Sequence, residues 1–523
     1  MPNLNTNSTN YVHSFEPNTN DLTMAMDYNA LGQPVIRTAF ASSEVVTANT
    51  AFGEPVAAQL VPVVQVETIH ELDLDELQLY TGGGGSIGTT NSIYYAQTST
   101  TAYSYAVLRT RRFVRYRPGQ GAMARFTAMF DAKADTTLRV GMANQEEALQ
   151  LGFNGTRFGI YHRYGAKAEL RTLTITTPPP NGVNTNATIT LNGVAFTVAL
   201  VSGETANQTA SRIARATYTG WLTEQKDNDV RFLSSGATQP LDGTFTFSHA
   251  TAAGTFTRTQ TGNVGTENWI YQEDFNIDTL DGNGPSAVSI DFTKLNVFQM
   301  NYRWLGAGGG QFAIEHPSTG AMMFFHKIRW TNVNTRPWVD NPGFKITYTA
   351  YNLGGTEVAS VKGCSMAGFI EGGITRNNYT RAYSIQKSSL ASGSTHNIFT
   401  IKNPLIYSGK INTKEIVLQD VALAHQGNDP CQVFVFLEAE LVGAGEIYTR
   451  LPQAVATVST ITGTIDPTLY TPVAAFILGI NGQAQYDLTP YRIVVPPGTR
   501  ASVAVRSNQG ISQISAALVW LAD

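Results

Sequence analysis

Charged side chains are scarce in this sequence. Its 523 residues include 35 Lys plus Arg and 39 Asp plus Glu, about 14% together, whereas roughly 25% is usual for soluble proteins. The formal net charge is −4, so the composition offers no broad basic field with which to hold a polyanion. We therefore expect no nucleic-acid partner.

Cysteine and long apolar runs are also scarce. The two cysteines, Cys364 and Cys431, exclude a disulfide scaffold, and the sequence leaves open whether they pair. The run of about 18 uncharged apolar residues that a membrane helix needs is missing, so no membrane insertion is expected. The stretch from Met1 to Asn29 lacks the basic start and apolar run of a secretory signal, which predicts synthesis in the cytosol.

Apolar and turn-forming residues are abundant instead. Hydrophobic residues make up 42% of the chain and aromatic residues 10%, with 47 glycines. Segments such as 102–108, 124–130 and 158–164 alternate apolar and polar residues with a period of two, which is typical of half-buried strands. The sequence predicts a mainly β protein with tandem β-sandwich or jelly-roll-like domains.

Changes in composition divide the chain into four parts. Residues 1–86 form a predicted extended N-terminal arm with a short helix or strand, and such arms usually become ordered on a partner. Residues 87–170 plus 263–344 form a predicted β-sandwich domain. A small α+β module, residues 171–262, is predicted to be inserted into it, and residues 345–523 form a C-terminal β-sandwich region.

The sequence gives little support for a catalytic motif. The segment Gly363 to Gly368 resembles a nucleophile elbow, but Ala367 stands where the second glycine belongs, and no alternation of strands and helices surrounds it. Glu315 and Glu371 serve as a glycosidase pair only if the fold brings them within roughly 5 to 10 Å. The sequence therefore does not predict an enzyme or a cofactor.

One glycine-rich turn carries oxygen ligands. Asp278, Asp281 and Asn283 form a candidate calcium site, because Ca²⁺ prefers carboxylate and amide oxygens. The spacing is not that of an EF-hand, and Asp and Asn before Gly are also what tight turns use. A plain turn is the competing interpretation.

A dense run of arginines follows the first predicted strands. If this run is one strand, Arg109, Arg111, Arg115 and Arg117 share a face with Phe113. Such a basic face with a central aromatic ring is a candidate interface with phosphates or an acidic partner. The alternative is intramolecular pairing with carboxylates.

Three tryptophans lie close together in the sequence after the predicted insertion. Trp304, Trp330 and Trp338 are candidate glycan-contact residues, because exposed indole rings stack on sugars. Core packing in a sandwich is the alternative, and it is the commoner fate of tryptophan.

Three segments resemble virion structural proteins, of the capsid, minor capsid, spike or fibre type, of large DNA viruses and tailed phages. They are RYRPGQGAMARFT at 115–127, FNGTRFGI at 153–160 and NVFQMNYRWLG at 296–306. The predicted inserted module is similar to small α+β domains of phage tail and capsid proteins. The resemblance implies a location in the virion, with a homo-oligomer and other virion proteins as partners. It carries over no active site.

Three functions follow from these observations. The first is a virion structural protein that acts by self-assembly and by docking to other particle proteins. The second is a receptor- or glycan-binding spike or adhesin, with host-surface glycan as its partner. The third is a polysaccharide-degrading β enzyme.

Overall fold

The computed structural model describes residues 22–28, 34–40, 59–373, 379–442 and 445–522. Residues Met1–Gln59 and Leu60–Asp523 form two separate units. The first unit contains strands β1 (Leu22–Tyr28) and β2 (Pro34–Phe40), which pair antiparallel. The remainder of the predicted arm up to residue 58 lies outside the described residues.

The other strands are numbered in chain order. The strands before the inserted module are β3 (Leu60–Glu67), β4 (Leu77–Gly82), β5 (Ser86–Thr90), β6 (Ile93–Gln97), β7 (Tyr105–Thr110), β8 (Val114–Arg115), β9 (Ala122–Asp131), β10 (Thr136–Ala143), β11 (Ala148–Asn154) and β12 (Arg157–Tyr164). The inserted module contains β13 (Ala168–Thr177), β14 (Thr185–Leu191), β15 (Val194–Leu200), α1 (Ala206–Ala214), β16 (Trp221–Lys226), β17 (Asp229–Ala237), β18 (Gly243–Phe247) and β19 (Ala253–Gln260).

The chain then returns to the first sandwich. These strands are β20 (Thr266–Tyr271), β21 (Asn296–Arg303), β22 (Gly309–Glu315), β23 (Met322–Arg329), β24 (Gly343–Asn352), β25 (Ser360–Gly363) and β26 (Ser365–Glu371). The C-terminal strands are β27 (Thr380–Leu390), β28 (His396–Lys402), β29 (Ile406–Tyr407), β30 (Lys410–Ile411), β31 (Ile416–Gln426), β32 (Cys431–Leu437), β33 (Thr449–Arg450), β34 (Thr457–Ser459), β35 (Ala474–Leu478), β36 (Gln483–Asp487), β37 (Val494–Val495), β38 (Arg500–Arg506) and β39 (Ile511–Ala522). Short 3-10 turns occupy Gln272–Asp274 and Thr489–Tyr491.

The first sandwich packs an eight-stranded sheet on a nine-stranded sheet. The eight-stranded sheet has the order β20-β12-β11-β10-β24-β7-β4, and β8 pairs with β24. The nine-stranded sheet has the order β23-β22-β21-β9-β25-β6-β5, and β26 joins β9 to β3. Alternate residues of both sheets face a shared core, where Tyr348 of one sheet contacts Tyr94 and Phe126 of the other. The mainly β architecture predicted from the alternating segments is confirmed.

Two boundaries of this sandwich differ from the sequence analysis. Strands β3 and β4, which we assigned to the N-terminal arm, belong to the sandwich, because Val64, Val66 and Leu77 are buried in its core. Strand β24, which we assigned to the C-terminal region from residue 345, lies inside the eight-stranded sheet between β10 and β7. Sequence alternation identified these strands but not the sheet that each one joins.

The inserted module has a core of its own. One sheet has the order β16-β17-β13-β19 and another the order β15-β14-β18. The turn between β14 and β15 uses Asn192 and Gly193, both with positive φ, as a tight hairpin turn requires. Helix α1 begins with a capping box of Thr205 and Gln208 and buries Ile213 in the module's core.

The C-terminal region is a second sandwich. One sheet has the order β27-β39-β31-β36, with β37 paired to β31, and the other the order β33-β34-β28-β38-β32-β35. The inserted module contacts this sandwich through hydrogen bonds that include Leu405 N–H to Glu224 Oε2, 2.6 Å, and Tyr448 N–H to Gln225 Oε1, 2.6 Å. No helix in the described parts of the chain has the length and apolar character of a membrane span.

Candidate functional site

The arginine run is not one strand. Both β7 and β8 pair with β24, but Arg109 is opposite Thr347 whereas Arg115 is opposite Gly343. The run therefore contains two more residues than the facing segment of β24, and this bulge disrupts the common face that we predicted.

The arginines before and within the bulge contact other parts of the chain. Arg109 donates to Gln78 Oε1 at 3.2 Å and to the Tyr80 hydroxyl at 2.9 Å. Arg111 Nε donates to the Leu74 carbonyl at 2.7 Å. Arg112 lies 3.7 Å from Glu415 of the C-terminal sandwich. Arg112 therefore pairs with a carboxylate, as the intramolecular alternative expects, whereas Arg109 and Arg111 bond neutral groups of the same chain.

The phenylalanine and the later arginines of the run are divided between core and surface. Phe113 is buried, and its backbone N–H also donates to Glu415. Arg115 and Arg117 are half-buried, and their place at an interface stays a prediction.

The predicted glycan contacts are wrong for two of the three tryptophans. Trp338 is fully buried and Trp330 is 7% exposed, so neither presents a ring face to a sugar. Trp304 is half-buried, and its indole N–H donates to the Val339 carbonyl at 2.8 Å. Burial beside these rings lowers the pKa of His162 to about 4, although its Nε2 lies 3.0 Å from the Trp338 carbonyl. This aromatic cluster packs the sandwich core.

The candidate calcium ligands stabilise their own turn. Asp278 accepts hydrogen bonds from the backbone N–H groups of Leu280 and Ser286. Asp281 accepts from the Thr279 hydroxyl and from both N–H donors of Asn283, and these bonds lower its pKa to about 2. Within the described ranges, no group of three or more His, Cys, Asp or Glu residues is arranged to hold a metal ion. The geometry is that of the plain turn.

The residues singled out for catalysis lie apart. Glu315 is the last residue of β22. Strand pairing runs from β22 through β21 and β9 to β26, and along this path Glu315 is in register with Ser365, the first residue of β26. Glu371 is six residues further along β26, which corresponds to about 20 Å. That separation is too long for a glycosidase pair. Cys364 and Cys431 are both free thiols.

An exposed apolar surface on the C-terminal sandwich was missed by the sequence analysis. Strand β35 is the outermost strand of its sheet, and exposed apolar side chains lie on it and beside it. We call this set of side chains the edge patch, and it comprises Val473 and Ile477, which share the outward face of β35, with the exposed neighbours Leu469, Ile480 and Tyr491. Leu469 and Ile477 are each 71% exposed.

The edge patch lacks the usual protection of an outer strand. No charged residue occurs between Asp466 and Asp487, whereas outer strands usually carry Lys, inward charges or a bulge that prevents pairing. One edge carbonyl, that of Ile477, accepts a hydrogen bond from the Tyr486 hydroxyl at 2.8 Å. The Tyr486 ring stacks on Phe476, with centroids 4.1 Å apart. The uncharged segment was the sequence signal for this surface.

A polar cavity opens at one end of the same sandwich. Its volume is about 700 Å³, and the loops that follow β27, β31, β35 and β38 contribute to its lining. Amide and hydroxyl groups come from Gln426, Asn428, Asn481, Gln509 and Ser512. Such groups donate and accept hydrogen bonds, as sugar hydroxyls require.

A buried acidic group lies where the first sandwich meets the inserted module. Glu147 is fully buried, and Gly165 N–H donates to its Oε1 at 3.2 Å. Burial and, to a lesser extent, the nearby Asp340 raise the pKa of Glu147 to about 7. Lys167 opposes this effect and lies 3.5 Å from both Glu146 and Asp340. This junction is therefore sensitive to pH near neutrality.

Comparison with known proteins gives distant likenesses. Neither a protein-family model nor a curated protein matches the chain. Solved structures similar to it include the potassium-bound carbohydrate recognition domain of Emp46p, with 9% identity over 59% of this chain and 96% of that chain and a TM-score of 0.23. Another is arcelin-5, a lectin-like defence protein from Phaseolus vulgaris, with 8% identity, 59% and 97% coverage and a TM-score of 0.22.

A virus particle is also among the similar structures. The structure of Sulfolobus turreted icosahedral virus matches with 8% identity over 90% of this chain and 98% of that chain, at a TM-score of 0.15. TM-scores and identities this low carry no argument about what the chain does.

Proposed function

We propose that this chain is a structural component of a virus particle, where it acts by self-association and by docking to other particle proteins. The edge patch is the observation that carries the proposal. Strand β35 is the outermost strand of its sheet and its edge is apolar and uncharged, so apart from the Ile477 carbonyl bonded by Tyr486 it is a template for another strand. In this proposal, the strand that pairs with this edge is β35 of a second copy of the chain.

Self-pairing suits the physical character of this edge. Two antiparallel copies of β35 related by a two-fold axis present the same residues to each other, as a closed dimer contact requires. Because Leu469, Val473 and Ile477 carry no charge, burying them against a second copy requires no desolvation of charged groups. Ring surface from Tyr491 adds apolar area at the rim.

The test is the association state of the purified chain and of an edge variant. Ile477→Lys places a like charge on each of the two facing strands, so we expect association to weaken by about 10-fold or more. Sedimentation velocity across a concentration series measures the change.

A matched control lies in the inserted module. Val194 is 55% exposed at the start of β15, the outermost strand of its own sheet, and Val194→Lys should leave association unchanged. Equal weakening by the two variants, or a wild-type chain that stays monomeric, would contradict self-pairing through β35.

Location in a particle needs a separate measurement. Mass spectrometry of purified virions should find this chain at a fixed ratio to the other particle proteins. Its absence from particles, with the chain present in the producing cell, would contradict the virion assignment while leaving the self-pairing result intact.

Glycan binding is the second candidate function, and the polar cavity favours it. The exposed Gln509 side chain on its rim is free to bond sugar hydroxyls. Glycan-array signal that is lost in Gln509→Ala would support this function. An array without signal from the wild type would remove it.

We propose no enzymatic activity. Polysaccharide hydrolysis requires two carboxyl groups about 5 to 10 Å apart across the scissile bond, and the distance between Glu315 and Glu371 is incompatible with that role. Release of reducing sugar from host cell-wall extract by the purified chain would contradict the proposal.

A further inference from the structure

A second cavity, of about 230 Å³, lies where three modules meet. The first sandwich contributes Gln78, Arg109 and Lys345 to its lining, the inserted module Leu233, and the C-terminal sandwich Leu405 and Ile411. The wall from the first sandwich is the most polar and holds both cations, whereas the other two walls are mainly apolar and add Thr223 and Asn412. A ligand bound here touches all three modules.

Two cationic side chains converge on one neutral oxygen at the polar wall. Lys345 Nζ lies 3.1 Å from Gln78 Oε1, and Arg109 Nε lies 3.2 Å from the same atom. Lys345 is 4% exposed. Arg109 is half-buried and also lies over the Tyr80 ring, 4.6 Å from its centroid, and Lys345 Nζ lies 4.8 Å from the centroid of the Phe113 ring. These neutral partners supply partial charge, whereas a buried cation is usually paired with a full opposing charge.

The nearest opposing charge is already engaged. No carboxylate is among the described residues that line the cavity. Glu415 lies outside this lining, where it accepts from Phe113 N–H at 3.3 Å and pairs with Arg112 at 3.7 Å. The cationic wall is therefore under-compensated.

The protonation of Lys345 reflects this surplus of positive charge. Burial lowers the pKa of Lys345 well below its ordinary value, and Arg109 lowers it further. Glu415 acts in the opposite direction, and Arg111 adds a weaker lowering. An anion in the cavity would favour the charged ammonium group.

We propose that this cavity binds a small tetrahedral oxyanion of the phosphate or sulfate class, held by Lys345 and Arg109. Arginine and lysine are the usual phosphate-binding side chains. Because the ligand contacts all three modules at once, its binding stabilises their arrangement relative to one another. This inference is independent of the self-pairing of β35.

The test uses the full chain and inorganic phosphate or sulfate as probes. We expect a saturable rise in Tm as either salt replaces sodium chloride at constant ionic strength. Isothermal titration with phosphate gives the Kd. A rise that does not saturate, or that chloride matches, would overturn the proposal, because it indicates an adventitious ion only.

Variants assign the effect to this cavity. Lys345→Met and Arg109→Gln should each weaken phosphate binding by about 10-fold or more, since a hydrogen bond to a charged group contributes about 1.5–3 kcal/mol. Arg212→Gln is the matched control, because its guanidinium pairs with Glu204 in the inserted module and lies outside this lining, and it should bind as the wild type does. Equal loss in all three variants would overturn the assignment.

Two further measurements keep the test decisive. Lys345→Arg keeps the positive charge and should retain a saturable Tm rise even if Lys345→Met unfolds. Acetate is the test of ligand class, and a Tm rise with acetate but none with phosphate or sulfate would show the class to be wrong.

Discussion

The two sandwiches place their aromatic rings differently. In the first, rings fill the core, and Phe158 alone contacts Phe130, Phe153, Phe275 and Phe292. The main buried cluster of the C-terminal sandwich is mostly aliphatic and includes the aromatic Phe399 and Trp520, and Phe436 lies in a smaller cluster. Ring clusters therefore stabilise the interior of the first sandwich far more than that of the second.

Other rings of the C-terminal sandwich are half-buried and pack against the margin of this core. Phe476 and Tyr486 stack across the gap between the outermost strands β35 and β36, and Tyr491 contacts Phe476 with centroids 6.0 Å apart. Aromatic side chains at a surface supply rigid apolar area for contact with another molecule. The first sandwich therefore has the larger aromatic core, whereas the proposed self-association rests on the second.

The largest expected effect follows from the ring cluster. Phe158→Ala should lower the free energy of unfolding by about 3–5 kcal/mol, because it leaves a cavity and removes several ring contacts. Phe399→Ala in the C-terminal core should lie at the low end of that range, since the ring contact recorded for Phe399 is with Tyr383. Urea unfolding measures both variants.

Hydrogen exchange locates each loss. Phe158→Ala should speed amide exchange in β11 and β12, and Phe399→Ala should speed exchange in β28 and β38. If Phe399→Ala costs as much as Phe158→Ala, the contrast between the two cores is wrong.

The next effect concerns pH, and it belongs to the first sandwich and its insertion. The folded-state pKa of Glu147 is raised from 4.5 to about 7, so between these values the folded chain binds a proton that the unfolded chain does not. The contribution of neutral Glu147 to stability is fully present below about pH 4.5 and is lost as pH rises through about 7. The free energy of unfolding changes by about 3 kcal/mol over this range.

Glu147→Gln removes this dependence. The variant should be more stable than the wild type at pH 8, with little difference at pH 4.5, and urea unfolding at the two pH values measures it. Glu315→Gln at the end of β22 serves as the control for loss of a carboxylate elsewhere. A variant that is less stable than the wild type at pH 8 would show that the ionised Glu147 contributes a favourable contact.

Local patterns in the sequence predicted the local structure. Alternation of apolar and polar residues predicted strands such as β9 and β12. The pair Asn192-Gly193 is a local signal of the β14–β15 hairpin, and the apolar face of Ala206 to Ala214 is one of the helix. Each of these features depends on residues close together in the chain. The mainly β class follows from them directly.

Features that depend on distant residues were not predictable. The bulge in the arginine run exists because β24 returns from more than two hundred residues away, with Gly343 opposite Arg115. Trp338 is buried because β21, β22 and the His162 ring surround it. The edge patch is visible only once β35 is known to be the outermost strand, although its uncharged sequence was a usable signal.

The smallest expected effect applies to surface turns in both sandwiches. Asp281 in the first sandwich and Asp466 and Asp487 in the second all accept a hydrogen bond from a threonine hydroxyl two residues away. This shared arrangement is a turn-stabilising device. Addition of Ca²⁺ should therefore leave Tm unchanged within about 1 °C, because a ligand that does not bind the folded state cannot stabilise it.

A rise in Tm with Ca²⁺ that depends on one sandwich alone would be a further difference between the two. If Ca²⁺ raises Tm and Asp281→Asn abolishes the rise while Asp466→Asn does not, the turn at Asp278 to Asn283 is a metal site after all. Ca²⁺ would then have to displace the Thr279 hydroxyl and the Asn283 donors from Asp281. Those hydrogen bonds stabilise the ionised Asp281 carboxylate, so we expect the turn to keep them when Ca²⁺ is added. We expect the same of the turns at Asp466 and Asp487 in the C-terminal sandwich.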